Sequence, residues 1–152
     1  MDIRRAQPCD AHAVARLLSH LGYPAEPVVV ETRLRALSDA DRVLLAEHTP
    51  GADQGLNAEL GLIALHRVPL LAESGALARI TALVVAPGYR GSGAARALLA
   101  AAEQTARHWG CWLLEVSCGR RPERTAAHAF YQAAGFTDTY ARSARYWKRL
   151  DH

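Results

Sequence analysis

The 152-residue chain contains a single lysine, Lys148, and this scarcity limits the kinds of nucleotide site it can carry. A Walker-type phosphate loop ends in Gly-Lys-Ser or Gly-Lys-Thr, and neither tripeptide occurs in the sequence. The chain also lacks an apolar run long enough to cross a membrane. Its first residues, MDIRRAQPCD, lack the apolar core of a signal peptide. We therefore expect neither a P-loop enzyme nor a membrane protein.

Cysteine is scarce as well. Cys9, Cys111 and Cys118 are an odd, widely spaced set, which predicts neither a disulfide framework nor a zinc site. The histidines show no metal-ligand spacing, so no metal is expected, and the free thiols favour a cytoplasmic location. The net charge of +3 suits an anionic ligand but is too weak to indicate nucleic-acid binding. The length predicts one domain, residues 1–152.

Hydrophobic periodicity predicts a chain that alternates between strands and helices. Asp10 stands where it would cap the first helix, and Gly22 where it would end it. The predicted strands are Asp2–Ala6, Arg42–His48, Glu59–Arg67, Ala78–Val85, Trp112–Cys118, Phe136–Tyr140 and Arg145–Leu150; the predicted helices are Ala11–His20, Val28–Leu37, Ser92–His108 and Arg124–Ala134. Thr49–Gly55 is predicted to be turn-forming. This order predicts an α/β protein with a mixed sheet.

The segment Ile80–Ala95, which reads ITALVVAPGYRGSGAA, predicts a binding loop for a pyrophosphate. A β-rich run ends at Val85, Pro87 and Gly88 interrupt it, and further glycines precede an alanine-rich helix. Glycines at the start of a helix leave backbone N–H groups pointing outward, and the helix adds a partial positive charge there. Such a loop binds a diphosphate with little help from side chains.

Two nucleotide-binding patterns compete for this loop. In the dinucleotide fingerprint G-x-G-x-x-G, Gly91 and Gly93 fit the first two positions. Arg96 occupies the third position, where close helix–strand packing requires no side chain, and the strand ends too early for that turn. The other pattern, R-x-x-G-x-G/A, is met by Arg90, Gly93 and Ala95.

A second signature, AHAFYQAAGF, follows downstream from Ala127 to Phe136. With these two motifs in this order, the chain resembles the GNAT superfamily, the N-acyltransferases that use acetyl-CoA. The resemblance implies the GNAT acyl-CoA N-acyltransferase fold, a central mixed β-sheet flanked by helices, in which two parallel central strands splay apart. Here those two strands would be Ile80–Val85 and Leu113–Ser117.

The resemblance also implies that acetyl-CoA (coenzyme A) binds where these strands separate. Backbone groups without ladder partners must be satisfied, and the amide-rich pantetheine arm can serve. We therefore expect contacts from Leu83, Val84 and Val85, with one amide near the thioester oxygen. The pyrophosphate would be held by Arg90, Gly91, Ser92, Gly93, Ala94, Ala95 and Arg96. The two arginine side chains either add charge-assisted hydrogen bonds or are ordinary solvated arginines.

Tyr131 matches the tyrosine that the family uses as a general acid, which protonates the CoA thiolate as it leaves. The alternative is a core tyrosine, the role expected of its neighbour Phe130. Arg124 stands where many relatives place an asparagine that contacts pantetheine, so it is either a longer, charged contact or a surface residue. Ala127 is assigned to the cofactor as well. His128 touches the cofactor, tunes the Tyr131 phenol or is simply a half-exposed helical histidine.

The general base is unassigned. Relatives often carry a glutamate near the start of the central strand, and no acid stands there in this sequence. Glu115, His66 and Glu59 are fallback bases, each also interpretable as a structural or exposed residue. The cluster of Arg120, Arg121 and Arg124 would meet the ribose phosphate of CoA, an anionic substrate or only solvent.

The sequence therefore predicts an acetyltransferase that moves acetyl from acetyl-CoA to a primary amine by direct attack in a ternary complex. Cys111 lies too early in its strand, and Cys118 has no evident base partner, which disfavours a covalent acetyl-enzyme. The alternative is a GNAT-fold module that binds acyl-CoA without turnover. The acceptor is left open; in this fold the first helices and the last strands select it, and here they offer Tyr23, Glu26, Glu31, Asp138 and Tyr140. Many relatives form dimers through terminal elements, so a homodimer is compatible with the sequence.

Overall fold

A computed structural model describes residues 1–49, 59–119 and 122–150. Its contacts divide the chain into two compact units, Met1–Val116 and Ser117–His152. The first unit contains β1 (Asp2–Arg5), α1 (Ala11–Leu21), α2 (Pro27–Arg35), β2 (Asp41–Glu47), β3 (Glu59–Pro69), β4 (Ala76–Val85), α3 (Ala94–His108) and β5 (Cys111–Val116). The second contains α4 (Thr125–Ala133), and short 3-10 turns span Pro8–Asp10, Pro87–Tyr89 and Pro122–Arg124.

The five strands form one sheet in the order β1-β2-β3-β4-β5. The first four are antiparallel neighbours, whereas β5 runs parallel to β4. The connection from β4 to β5 passes through α3, because two parallel strands need a crossover. The predicted mixed sheet is confirmed, but the parallel pair lies at the edge of the sheet formed by the described residues and not at its centre.

Helices cover both faces of this sheet, since successive strand residues point to opposite sides. Leu62 of β3 and Val84 of β4 share a buried cluster with Leu17 of α1. Gly61, the neighbour of Leu62, faces the other way, and a Cβ placed on it would lie 3.2 Å from Leu98 Cδ1 of α3. The sheet therefore lies between α1 on one face and α3 on the other. The loop that connects β4 to α3 leaves the sheet at the carboxyl end of β4.

Asp10 precedes α1 but does not cap it with its side chain. Its carboxylate accepts two hydrogen bonds from the Arg4 guanidinium, each 2.9 Å, and one of 2.7 Å from the Gln7 N–H. The hydrogen bonds from Arg4 chiefly hold the pKa of Asp10 below its usual value. The predicted side-chain cap is therefore wrong, because the guanidinium engages the carboxylate. Gly22 ends the helix as predicted, in the left-handed conformation with a φ of +94°.

The predicted strand Phe136–Tyr140 does not form. The Asp138 carboxylate accepts the Tyr140 N–H at 2.9 Å, and the Thr139 carbonyl accepts the N–H of Arg142 at 2.9 Å. Local hydrogen bonds of this kind offer the backbone an alternative to a sheet ladder. The prediction was wrong because the polar side chain and turn compete with strand pairing.

The last predicted strand, Arg145–Leu150, is also absent from the described residues. Tyr146 and Trp147 are 92% and 78% exposed, so the aromatic residues that suggested a strand cover no buried face. The predicted turn Thr49–Gly55 lies outside the described residues beyond Thr49, as do Arg120 and Arg121. Across the described ranges, every helix is too short or too polar to cross a membrane.

Gly61 provides a stability prediction, because the sheet leaves no room for a side chain there. A Cβ at this position would lie 2.6 Å from the Val84 carbonyl oxygen, a backbone atom that cannot rotate away. We expect Gly61→Ala to lower the free energy of unfolding by about 1–3 kcal/mol, measured by urea denaturation. Gly88→Ala is the matched control, since nothing lies within 4 Å of its Cβ position. Equal unfolding free energies for the two variants would contradict the prediction.

Candidate functional site

Among the described residues, the carboxyl end of β4 has no neighbouring strand on one side. Pairing with β5 runs from Ala76 to Ile80, where Ile80 lies opposite Val116, the last residue of β5. β4 continues for five more residues, Thr81 to Val85. On its other side, β4 stays paired with β3 as far as Val85. The two parallel strands therefore pair only over the first half of β4, as the resemblance implied.

The backbone of Leu83 and Val85 faces this unpaired side. The Ala86 N–H donates to the Leu60 carbonyl of β3 at 2.8 Å, which fixes the alternation along the strand. Successive residues in an antiparallel ladder direct their N–H and C=O groups to opposite sides, so Val84 points toward β3. Leu83 and Val85 then point away from β3, where the described part of the chain provides no neighbouring strand. Both residues are half-buried, and backbone groups without a ladder partner must be satisfied by water or by a ligand.

A glycine-containing loop follows directly. Pro87–Tyr89 forms a 3-10 turn, and Arg90 is extended. Gly91 and Gly93 have φ values of +78° and +89°, in the left-handed region that favours glycine. Ser92 lies between them, with its N–H donating to the Tyr89 carbonyl at 3.2 Å. The loop thus owes its shape to the two glycines.

Helix α3 begins immediately after this loop, and its first N–H groups have no carbonyl partner within the helix. The first intrahelical bond runs from the Ala97 N–H to the Gly93 carbonyl, at 3.0 Å. The N–H groups of Ala94, Ala95 and Arg96 therefore have no carbonyl partner within the helix. Ala94 has only a long 3.4 Å contact to Ser92 Oγ. A 15-residue helix also carries a partial positive charge at this end, so the arrangement suits an anion.

Two arginine side chains flank the free N–H groups. Arg90 and Arg96 are both exposed, and neither forms an ion pair with another described residue. Both guanidinium groups are therefore available to a phosphate, although solvated arginines would have the same exposure. The backbone geometry, and not the side chains, is the more specific feature of this loop.

In the second unit, Tyr131 lies on α4 between two phenylalanine rings. Its ring centroid is 5.5 Å from that of Phe130 and 5.4 Å from that of Phe136, both in edge-to-face geometry. Burial is the main cause that raises the pKa of Tyr131 to about 12. The charge of Cys118 raises it further, and the charge of Arg124 lowers it. The phenol therefore keeps its proton at any pH near neutrality.

The other predicted residues of α4 have distinct surroundings. Arg124 is half-buried immediately before the helix and lies near enough to act on the Tyr131 phenol. Ala127 is half-buried on the helix itself. His128 forms a 2.7 Å hydrogen bond with the Gly119 carbonyl, which ties the helix to the preceding segment. That bond gives His128 a structural role. The sequence had indicated only a half-exposed helical histidine as the alternative to a cofactor contact, and did not predict the hydrogen bond.

Each fallback base already has a charged partner. Glu115 Oε1 accepts a 2.6 Å hydrogen bond from Arg79 Nε. His66 Nδ1 lies 2.7 Å from Asp41 Oδ1. Glu59 lies 3.5 Å from Arg16. The structure therefore gives all three a structural explanation. The pairs His66–Asp41 and Arg79–Glu115 follow from strand register, where each lies directly opposite its partner. Among the described residues, no three potential ligands cluster around a metal position.

Comparison with known proteins identifies the family. A sequence model described as the acetyltransferase (GNAT) family matches residues 19–136, well over half of the chain. The chain therefore belongs to the GNAT acetyltransferase family and is an enzyme of the acyltransferase class. The enzymes of this family use acetyl-CoA. The match includes both the glycine-containing loop and Tyr131.

Individual relatives agree with this assignment. The chain is 36% identical over 138 residues to an aminoglycoside N(6′)-acetyltransferase type 1 from Stenotrophomonas maltophilia, a match that covers 90% of this chain and 86% of that protein. A ribosomal-protein-alanine N-acetyltransferase from Brucella melitensis biovar Abortus 2308 superposes with a TM-score of 0.77 at 20% identity, covering 99% and 100% of the two chains. An aminoglycoside acetyltransferase from an uncultured soil metagenomic sample gives 0.73 at 18%, covering 99% and 98%. These two structures, at 20% and 18% identity, show that this chain has the same fold as they have.

Proposed function

We propose that this protein transfers an acetyl group from acetyl-CoA to a primary amine, by direct attack of the amine in a ternary complex. The observation that carries the proposal is the row of backbone N–H groups at Ala94, Ala95 and Arg96 that have no carbonyl partner within the helix, preceded by two left-handed glycines. This arrangement fits a pyrophosphate, which is the anionic group of CoA. Arg90 and Arg96 would add charge to the same site.

The unpaired end of β4 supports the second part of the proposal. The N–H and C=O groups of Leu83 and Val85 match the alternating amide groups of a pantetheine arm, which would bind as a substitute strand. One of these N–H groups would donate to the thioester oxygen and stabilise the negative charge that develops during attack. Val84 would act only by keeping its neighbours in place, because its backbone faces β3 and the residue as a whole is 6% exposed.

Tyr131 is proposed as the general acid, with Arg124 and Ala127 as further cofactor contacts on the same helix. When the amine has attacked, CoA leaves as a thiolate, and the phenol would donate its proton to that sulfur. The phenol carries this proton near neutral pH, as an ordinary tyrosine does, and burial raises its pKa further, to about 12. Arg124 would place a positive charge near the same group. The domain proposed for this chemistry spans residues 1–152, in the cytoplasm, as a monomer or a homodimer.

An aminoglycoside is the proposed acceptor, because the curated relative from Stenotrophomonas maltophilia acts at the 6′-amine of such a compound. An acceptor with several ammonium groups would need carboxylates or aromatic faces. Tyr23 is 69% exposed between α1 and α2, and Glu26 is exposed at the start of α2. Glu31 is bound to Arg35 at 2.8 Å, which reduces its availability. Asp138 and Tyr140, in the second unit, are exposed.

The proposal predicts that acetyl-CoA binds with micromolar affinity. NADH and ATP, titrated separately by calorimetry as comparisons, are expected not to bind. The reason is that the loop, the unpaired strand end and the arginines together match pyrophosphate and pantetheine. Thiol release would then be followed with two aminoglycosides that differ only in carrying an amine or a hydroxyl at the 6′ position. Release with the amine alone supports the proposed acceptor. Failure to bind acetyl-CoA would overturn the whole proposal.

A non-catalytic acyl-CoA-binding module is the second candidate, favoured by one observation. Glu115, His66 and Glu59 all have charged partners, so none is free to deprotonate the amine. Such a module would bind acetyl-CoA in the calorimeter and release no thiol with any amine. Tyr131, which stands at the position of the family's general acid in the AHAFYQAAGF motif and which a binding module would not need, supports the enzyme instead.

A further inference from the structure

The end of α4 brings residue 136 back over residue 131. Gly135 has a φ of +92°, and its N–H donates to the Gln132 carbonyl at 3.1 Å. The Phe136 N–H donates to the Tyr131 carbonyl at 3.0 Å. This pair of bonds is a left-handed glycine cap, which commonly places an apolar residue after the glycine against one in the last turn of the helix.

The two side chains complete this arrangement. The rings of Phe136 and Tyr131 lie with centroids 5.4 Å apart and planes at 66°, which is edge-to-face geometry. Both residues are half-buried, whereas Gln132, Ala133 and Gly135 between them are exposed. Within the turn Gln132–Phe136, Phe136 is the half-buried residue whose ring packs against the tyrosine ring.

We propose that Phe136 is a positioning residue for Tyr131, whose ring it holds in one orientation so that the hydroxyl meets the leaving sulfur. The inference rests on the proposed role of Tyr131 as the general acid. A tyrosine side chain has only two rotatable bonds that set the ring, and a second ring packed against it at a fixed helix end restricts both. Proton transfer needs the hydroxyl within hydrogen-bond distance of sulfur, so small displacements matter.

Phe136 also affects the protonation of the phenol. Burial is the largest cause of the raised pKa of Tyr131, and the Phe136 ring supplies part of that burial. Removing the ring admits water to the phenol and lowers its pKa toward the ordinary value near 10. A purely structural role, confined to helix stability, would leave this titration unchanged as long as the protein is folded.

The test uses Phe136→Leu, which keeps an apolar side chain and the glycine cap but removes the ring. We expect kcat for thiol release to fall roughly 10- to 100-fold, while KM for acetyl-CoA changes by less than about twofold. Phe136→Tyr, which retains a ring, is expected to keep most of the activity. In parallel, the phenols of Phe136→Leu are titrated by ultraviolet absorbance, and the titration of the same protein carrying Tyr131→Phe is subtracted to isolate Tyr131. The pKa of Tyr131 in Phe136→Leu is expected to lie below its wild-type value of about 12.

The two measurements decide the inference separately from the proposed function. A Tyr131 titration that is identical in Phe136→Leu and wild type overturns it, and so does a lowered pKa with an unchanged kcat. Phe136→Met replaces Phe136→Leu if the latter does not fold, with the same expectations. A wild-type protein that releases no thiol with any amine overturns the proposed function. The titration of Tyr131 does not depend on activity, so its result can still be read in that case.

Discussion

Tyr131→Phe is expected to lower kcat by roughly 100- to 10,000-fold and to leave the Kd for acetyl-CoA nearly unchanged. The substitution removes one oxygen and keeps the ring that packs against Phe130 and Phe136. The CoA thiolate then leaves without a proton donor, while the loop that would bind pyrophosphate is untouched. Thiol release under saturating acetyl-CoA measures kcat, and calorimetry measures Kd.

Tyr146→Phe is the matched control, because this tyrosine of the same unit is 92% exposed. It is expected to retain full activity. The wild-type pH profile provides a second check: with the pKa of Tyr131 at about 12, loss of its proton cannot reduce the rate below about pH 10. Unchanged kcat in Tyr131→Phe would exclude the general acid and leave a tyrosine that only packs.

The loop and the first half of the fold could be predicted from the sequence because their signals are local. Pro87 breaks the strand, and Gly91 and Gly93 permit the left-handed turns that the structure contains. The predicted start of α3 at Ser92 was two residues early, since the Ser92 N–H belongs to a turn that closes on Tyr89. Boundaries of this kind depend on one or two hydrogen bonds, which periodicity does not specify.

Side-chain pairing across strands was not predictable in the same way. Glu115 and His66 were considered as bases because they are titratable residues in strands near the site. The register of β2 against β3 places His66 opposite Asp41, and the register of β4 against β5 places Arg79 opposite Glu115. No short-range pattern in the sequence encodes this register, so the ion pairs that occupy these residues appear only in the structure.

The two strands predicted for the end of the chain do not form in the part that the structure describes, so here the sequence predicted pairing that the structure lacks. Arg145–Leu150 contains aromatic and apolar residues that favour strands, yet a strand forms only when a neighbour accepts its hydrogen bonds. In the described residues no strand lies beside it, and Leu150 is 79% exposed. Composition indicates what a segment tolerates, whereas pairing depends on which partner the rest of the chain provides.

Gly93→Ala is expected to weaken acetyl-CoA binding roughly 10-fold or more, because an L-residue at a φ of +89° costs about 1–2 kcal/mol. Nothing lies within 4 Å of the added Cβ, so the effect comes from backbone strain and not from a clash. The loop would relax and turn the N–H groups of Ala94 and Ala95 away from the pyrophosphate. Calorimetry measures the Kd, and a thermal melt confirms that the variant is folded.

Gly88→Ala separates this mechanism from a general effect of filling the loop. Gly88 lies in the same loop with open space around its Cβ position, but its backbone is not left-handed. It is therefore expected to bind acetyl-CoA like the wild type. Equal affinities for Gly88→Ala and Gly93→Ala would mean that the left-handed backbone at Gly93 does not shape the phosphate site. Because acetyl-CoA binding by the wild type is measured in the same series, a failure of this prediction is distinct from a failure of the proposed function.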